Sequence, residues 1–252
     1  MGVIDRKFYD AIVHPTAGVG DYTSIATALS TEGANKSIYV APGSYSESED
    51  VEPDDNQQIY FDRVTINFAN AKGIRIVGKD YIKMSGQLTL NGDTDMFHVK
   101  TDSNFVNAED LQLIIDTSAG YAYVYAFYID ATSDYNVFGN IHIKAIDASV
   151  QHQLAGVVAH GTGNKINATI ETINNSYGGA TACWGIFSSG GTRNVFNVSI
   201  DTISTTTGNT GVGVYLLGAT RSVVLGGVAA PDSGNEITVS GGSSNKYGEV
   251  TI

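Results

Sequence analysis

The chain has 252 residues, 42% of them hydrophobic, and a formal net charge of −12. That composition supplies one sizeable core, and its acidity argues against nucleic acid or an anionic membrane surface as a partner, since both demand a basic face. The lone Cys183 excludes an internal disulfide, and no apolar run reaches the roughly 18 residues of a membrane-spanning helix, so no membrane insertion is expected.

The opening Met1-Gly-Val-Ile-Asp-Arg-Lys7 lacks the apolar region of a secretory leader, and Arg6 does not fit myristoylation of Gly2. The first predicted element is a helix within Asp21-Tyr-Thr-Ser-Ile-Ala-Thr-Ala-Leu29. Ile25, Ala28 and Leu29 fall on one face, with Thr23 or Asp21 as N-cap. Ser37-Ile-Tyr-Val-Ala-Pro-Gly-Ser-Tyr45 reads as a strand ended by a Pro-Gly turn. The run Glu47 to Asp55 packs six acids into nine residues and reads as a solvated loop. Carboxylates suit calcium, but the spacing matches no EF-hand pattern, so neither a metal nor a cofactor is expected. Residues 1–36 form an arm and capping helix, and 37–252 a single repetitive domain.

From residue 104 onward, paired asparagines open strand after strand: Asn104-Phe-Val-Asn107, Asn136-Val-Phe-Gly-Asn140, Asn164-Lys-Ile-Asn167 and Asn194-Val-Phe-Asn197. The second copy carries an extra Gly139, and Ser222-Val-Val-Leu225 follows as a degenerate fifth. Self-similarity at about 30 residues marks a solenoid, and β-branched, aromatic and glycine neighbours make its unit a strand. Asn suits left-handed corners, and stacked amides can bond from rung to rung. The stretches after each pair align Ile143, Ile170 and Ile200 in one column and Ile146, Ile173 and Ile203 in a second, predicting aliphatic ladders at a rung spacing of about 4.8 Å.

Between the repeats lie the candidate functional residues. In Tyr121-Ala-Tyr-Val-Tyr-Ala-Phe127, period-two geometry puts Tyr121, Tyr123, Tyr125 and Phe127 on one side of a strand, as core, subunit interface or glycan platform. Trp184 starts a strand, where sugar contact and rim packing are both open. Ala159-His160-Gly161 holds a lone histidine that reads as a corner residue. Glu171 and Asp201 occupy one repeat position on neighbouring rungs, with Lys144 on the rung before. Carboxyl groups about 4.8 Å apart approach the spacing of retaining glycosidases, against the plainer reading of a solvated polar column.

Gly20-Asp-Tyr-Thr-Ser-Ile25 followed by Ile38-Tyr-Val-Ala-Pro-Gly-Ser-Tyr45 resembles the entrance of the pectate-lyase-like right-handed β-helix superfamily, an opening shared by pectin methylesterases and many bacteriophage tailspikes. The resemblance implies an all-β, right-handed, single-stranded parallel β-helix of about seven to eight coils with a short N-terminal capping helix. It does not carry the enzymes' chemistry. Only Asp134-Tyr-Asn-Val-Phe-Gly-Asn140 is similar to an esterase segment, with an extra residue and without the Gln and Arg partners. The calcium-binding carboxylates and arginine of the lyases are missing, and so is the Asp pair of the polygalacturonases.

The expectation is therefore a bacteriophage virion structural protein, a tailspike, tail fibre or head fibre, that binds host cell-surface polysaccharide. A polysaccharide depolymerase using Glu171 and Asp201 is one alternative, and an architectural decoration protein without ligand another. Expected partners are two further copies in a homotrimer parallel about the solenoid axis, with Tyr121, Tyr123 and Tyr125 near the subunit boundary, and other virion proteins. Expected localisation is the virion, after synthesis in the host cytoplasm.

Overall fold

A computed structural model describes residues 8–69, 72–93, 96–117, 123–148, 153–176, 182–205, 210–227 and 234–247. The first strands are β1 (Ala11–Val13), β2 (Ser37–Val40), β3 (Gly43–Glu47), β4 (Gln58–Phe68), β5 (Ile74–Val77), β6 (Lys83–Gly92) and β7 (Phe97–Lys100), with helix α1 (Ile25–Glu32) between β1 and β2. The middle of the chain forms β8 (Asn107–Glu109), β9 (Leu111–Thr117), β10 (Tyr123–Ile129), β11 (Val137–Ala148), β12 (Gln153–Ala159) and β13 (Lys165–Asn175). β14 (Ala182–Ser189), β15 (Val195–Thr205), β16 (Thr210–Leu217), β17 (Val223–Leu225), β18 (Gly234–Ser240) and β19 (Lys246–Tyr247) complete it. All sheets are parallel, and the chain winds as a β-solenoid of about seven turns with a single short helix. This is the expected all-β class, compatible with a pectate-lyase-like architecture.

Two sheets enclose the core. One runs β1-β2-β4-β6-β8-β11-β13-β15-β17-β19, with β3 and β9 beside it, and the other runs β5-β7-β10-β12-β14-β16-β18. The expected isoleucine columns form and extend beyond the repeats, as Ile66–Leu90–Leu113–Ile143–Ile170–Ile200 and Ile115–Ile146–Ile173–Ile203. All ten side chains are buried. Glycines on the facing sheet make room for them. A Cβ on Gly156 would lie 2.6 Å from Ile170 Cδ1, and one on Gly185 2.4 Å from Ile200 Cδ1. Aromatic packing fills an earlier level, where Phe138 meets Phe97 and Phe127 edge-on.

The first coil is sealed by α1, whose Ile25, Ala28 and Leu29 are buried as expected. Its N-cap is Ser24, in place of the expected Thr23 or Asp21, because Asp21 is drawn into tertiary pairing and accepts the Ile12 N–H at 2.9 Å. Buried polar groups hold both helix ends. Glu47, 4% exposed, accepts the Ile25 N–H at 2.6 Å and the Ser24 hydroxyl at 2.9 Å, favourable at a helix N-terminus. Gln57 Nε2 donates to the last-turn carbonyls of Leu29 and Gly33. Glu47 therefore does not belong to a solvated loop. Three others of that run meet cations of the next coil, Glu49 and Asp50 facing Lys72, Asp50 also facing Arg75, and Asp54 bonding Lys79 at 2.6 Å.

The asparagine ladder is real, with one correction of register. Asn136, Asn164 and Asn194 are fully buried. Each Oδ1 accepts a backbone N–H from the preceding coil, of Val106, Asn136 and Asn164 in turn, at 2.8–2.9 Å. Each Nδ2 donates to a carbonyl on that coil, of Ser103, Ser133 and Gly161. Ser222 follows in step, and Asn245 is a further member. Asn104 does not join, because Asn107 pairs with Val137 and so places Val106 in the column. It belongs instead to a parallel ladder two residues upstream, where Asp55, Asp80, Asn104 and Asp134 accept the N–H of the next coil. The extra Gly139 is absorbed as a bulge between Phe138 and Ile141.

Two outcomes follow for stability. Ile170→Ala should cost about 2–5 kcal/mol through lost transfer energy and a cavity, measured by denaturant unfolding. Ser222 is too short to continue the ladder, and its buried Oγ has no hydrogen-bond partner. Ser222→Asn should restore both amide bonds and raise stability by about 1 kcal/mol; a loss of that size would show that the site cannot seat the amide.

Candidate functional site

The outer surface of the long sheet carries an open groove of about 720 Å³ that runs across four coils. Two rows of side chains line it, Gln87, Asp110, Asn140 and Asn167 along one edge, and Thr89, Gln112, His142 and Thr169 along the next, with Glu171 beyond. Strand alternation produces the rows, because their intervening neighbours Leu88, Leu111 and Ile141 point into the core. The bulge at Gly139 leaves Asn140 in the left-handed region at φ 56°, and its amide donates to Asp110 at 2.8 Å. Thr89 donates to Gln112 at 3.3 Å.

Of the two expected carboxylates, Glu171 lines this groove. Its Oε1 accepts from His142 Nε2 at 2.7 Å, with both side chains little more than a third exposed. Asp201 is opposite Glu171 on the next coil, between the pairs Ile170–Ile200 and Thr172–Thr202. It is exposed and accepts from the Ser199 hydroxyl at 3.4 Å. Glu171 thus engages an imidazole on the preceding coil and not Asp201. His142 escaped sequence reasoning although it lies in the aligned stretch Ile141–Ile146. The glutamate reaches it diagonally, one strand repeat away from its straight-across position.

Tyr121 lies outside the described residues, as does the side chain of Tyr123. Tyr125 points outward, half-buried, and stacks on Tyr128 with centroids 5.8 Å apart. Phe127 does not share its side, since Ala126 and Phe127 both turn inward and Phe127 stacks on Phe97 at 5.1 Å. Two consecutive inward residues end the expected alternation. Trp184 is only 9% exposed, stacked between Phe187 at 4.8 Å and Tyr215 at 6.4 Å. His160 is a satisfied corner residue: its Nδ1 accepts the Ser189 N–H at 3.0 Å and its ring meets Tyr128 and Phe187 edge-on.

A third feature was not anticipated. At one corner, successive passes of the chain go through a left-handed residue: Asn35, Asn56, Tyr81, Phe105, Tyr135, Gly163, Arg193, Arg221 and Ser244. Asn35 and its seven successors up to Arg221 each donate their N–H to a carbonyl of the following coil, which lines the column up along the solenoid axis. Left-handed backbone costs a side-chain-bearing residue about 1–2 kcal/mol, least for Asn, and Gly escapes it. Tyr81, Phe105 and Tyr135 are nevertheless 58%, 47% and 53% exposed. Their rings stack on one another at 4.9 and 5.9 Å. In the sequence each of these residues stands immediately before a ladder position, and it is aromatic at positions 81, 105 and 135.

Among the described residues no group of three or more His, Cys, Asp or Glu side chains is placed to hold a metal ion. No protein-family model, curated protein or solved structure matches the chain.

One titration is predictable. Burial pushes the His160 pKa below its ordinary 6.5, against the opposing pull of Asp130. The unfolded chain therefore takes up this proton first. The stability held by neutral His160 is complete above the unfolded pKa and is lost as pH falls through the folded one. Between about pH 7.5 and about pH 5 the denaturation midpoint should fall more steeply for the wild type than for His160→Gln; parallel profiles would contradict this.

Proposed function

We propose that the chain is an exposed solenoid of a bacteriophage particle that binds host cell-surface polysaccharide in the groove between Gln87 and Glu171. The groove's composition carries this reading. Amide and hydroxyl side chains recur along an open track, with one imidazole and two carboxyl groups among them. A polysaccharide is a repeating chain of hydroxyl donors and acceptors, and such rows match it group for group. The assignment to a virion rests on the likeness of Gly20–Ile25 and Ile38–Tyr45 to tailspike openings.

A second reading, depolymerisation, has its own observation. The 2.7 Å contact of Glu171 with His142 places a carboxylate-oriented imidazole inside the groove, an arrangement suited to general base chemistry.

Screening on an array of bacterial surface polysaccharides tests the binding reading. A ligand found there should bind Gln112→Ala/Asn167→Ala at least about tenfold more weakly, equivalent to about 1.4 kcal/mol. Thr169→Trp, which fills the groove, should abolish binding. Failure of the wild type to bind any polysaccharide would leave an architectural role. Released oligosaccharide that disappears in His142→Gln, with binding retained, would establish the depolymerase.

A further inference from the structure

We propose that the left-handed corner is a self-association ridge, through which two copies pair antiparallel about a twofold axis at Gly163. This goes beyond glycan binding and uses none of the groove residues. The choice of residues is the starting point. The same corner accepts Asn at positions 35 and 56 and Gly at 163, the conformationally cheap solutions. Three exposed aromatics and two arginines hold the strained conformation in their place, and strain kept at a surface points to a contact.

The order of those residues identifies the partner. Gly163 lies one coil from Tyr135 on one side and from Arg193 on the other, and two coils from Phe105 and Arg221. Acids flank the aromatic half, because Asp80 and Asp134 directly precede Tyr81 and Tyr135. Thr192 and Thr220 occupy the equivalent places in the basic half. Arg193 and Arg221 are exposed and have no side-chain partner among the described residues. Reversing one copy about Gly163 sets Arg193 against Tyr135 and Asp134, and Arg221 against Phe105. The arginine stems then cover ring edges while the Arg193 guanidinium reaches the Asp134 carboxylate. Gly163 suits the pivot, since the Tyr135 ring already occupies the space of its absent side chain. Lys165, beside the axis, is exposed and long enough to turn its ammonium to solvent. A parallel arrangement with this ridge on its axis would instead set each arginine against its own copy.

Light scattering on the full chain should show a mass that rises with concentration from 26.6 kDa to twice that value and falls back with salt. Phe105→Asn puts a favoured left-handed residue at the corner, so it should melt no lower than the wild type while weakening association at least about tenfold. Arg193→Glu/Arg221→Glu should do the same. Orientation is read by Tyr135→Cys/Arg193→Cys. Two coils separate these positions within one chain, too far for an internal bridge, so oxidation should yield a covalent dimer. Phe105→Cys alone should not yield one. A constant mass of 26.6 kDa, a trimer, association unmoved by the ridge variants, or efficient crosslinking by Phe105→Cys would each overturn the proposal.

Discussion

Everything in this molecule depends on the backbone hydrogen bonds that join one coil to the next. Parallel strands stack at about 4.8 Å, and each coil must offer its N–H and C=O groups to both neighbours at that spacing. Residues at equivalent positions are therefore brought into contact whatever their chemistry. Isoleucine on isoleucine gives a core, amide on amide gives a buried ladder, and aromatic on aromatic gives a ridge. The same constraint leaves the first coil with an unpaired face. α1 covers it, and Glu47 and Gln57 show how completely the polar ends of that cover must be satisfied.

The corners reconcile stacking with turning. A chain that reverses direction several times per coil needs residues of positive φ, and aligned coils need them in a column. In the left-handed column of this solenoid the requirement is purely conformational, so any residue able to tolerate it will serve. Asn and Gly satisfy it cheaply, and Arg and the aromatics do not. Local geometry thus separates residues that build the corner from residues that use it. The groove shows a related economy, since one inserted residue, Gly139, creates the bulge that turns Asn140 toward Asp110.

Features that depend on a single inward or outward choice were legible in the sequence. The isoleucine columns are the example, because a hydrophobic residue at a repeated position has one place to go. Features that depend on a choice between equivalent chemistries were not. Asn104 and Asn136 look alike, yet two adjacent columns use Asx side chains to accept an N–H from a neighbouring coil, and Asn104 belongs to the other one. Phe127 defeated period two because its neighbour Ala126 also turns inward. Glu171 was correctly placed on an outward column, but a long side chain is not confined to its straight-across neighbour, and His142 lay within diagonal reach. The N-cap fell to Ser24 because tertiary pairing claimed Asp21, a competition invisible within a nine-residue window.

Groove and ridge are carried by the same strands. β11 begins two residues after Tyr135 and reaches the groove at Asn140, so the two surfaces are rigidly related through a continuous sheet. An antiparallel twofold axis lying in the contact plane and crossing the solenoid preserves the side on which a feature sits. Two paired copies would therefore present both grooves on one side of the assembly. Linking two weak sites on a rigid support raises avidity by about 10²–10⁴ without any new contact, provided the ligand is long enough to span them. A repeating surface polysaccharide meets that condition, whereas a short oligosaccharide does not. The strained ridge and the shallow, solvent-open groove thus fit a single physical logic, in which modest affinity per site is offset by the number of sites engaged.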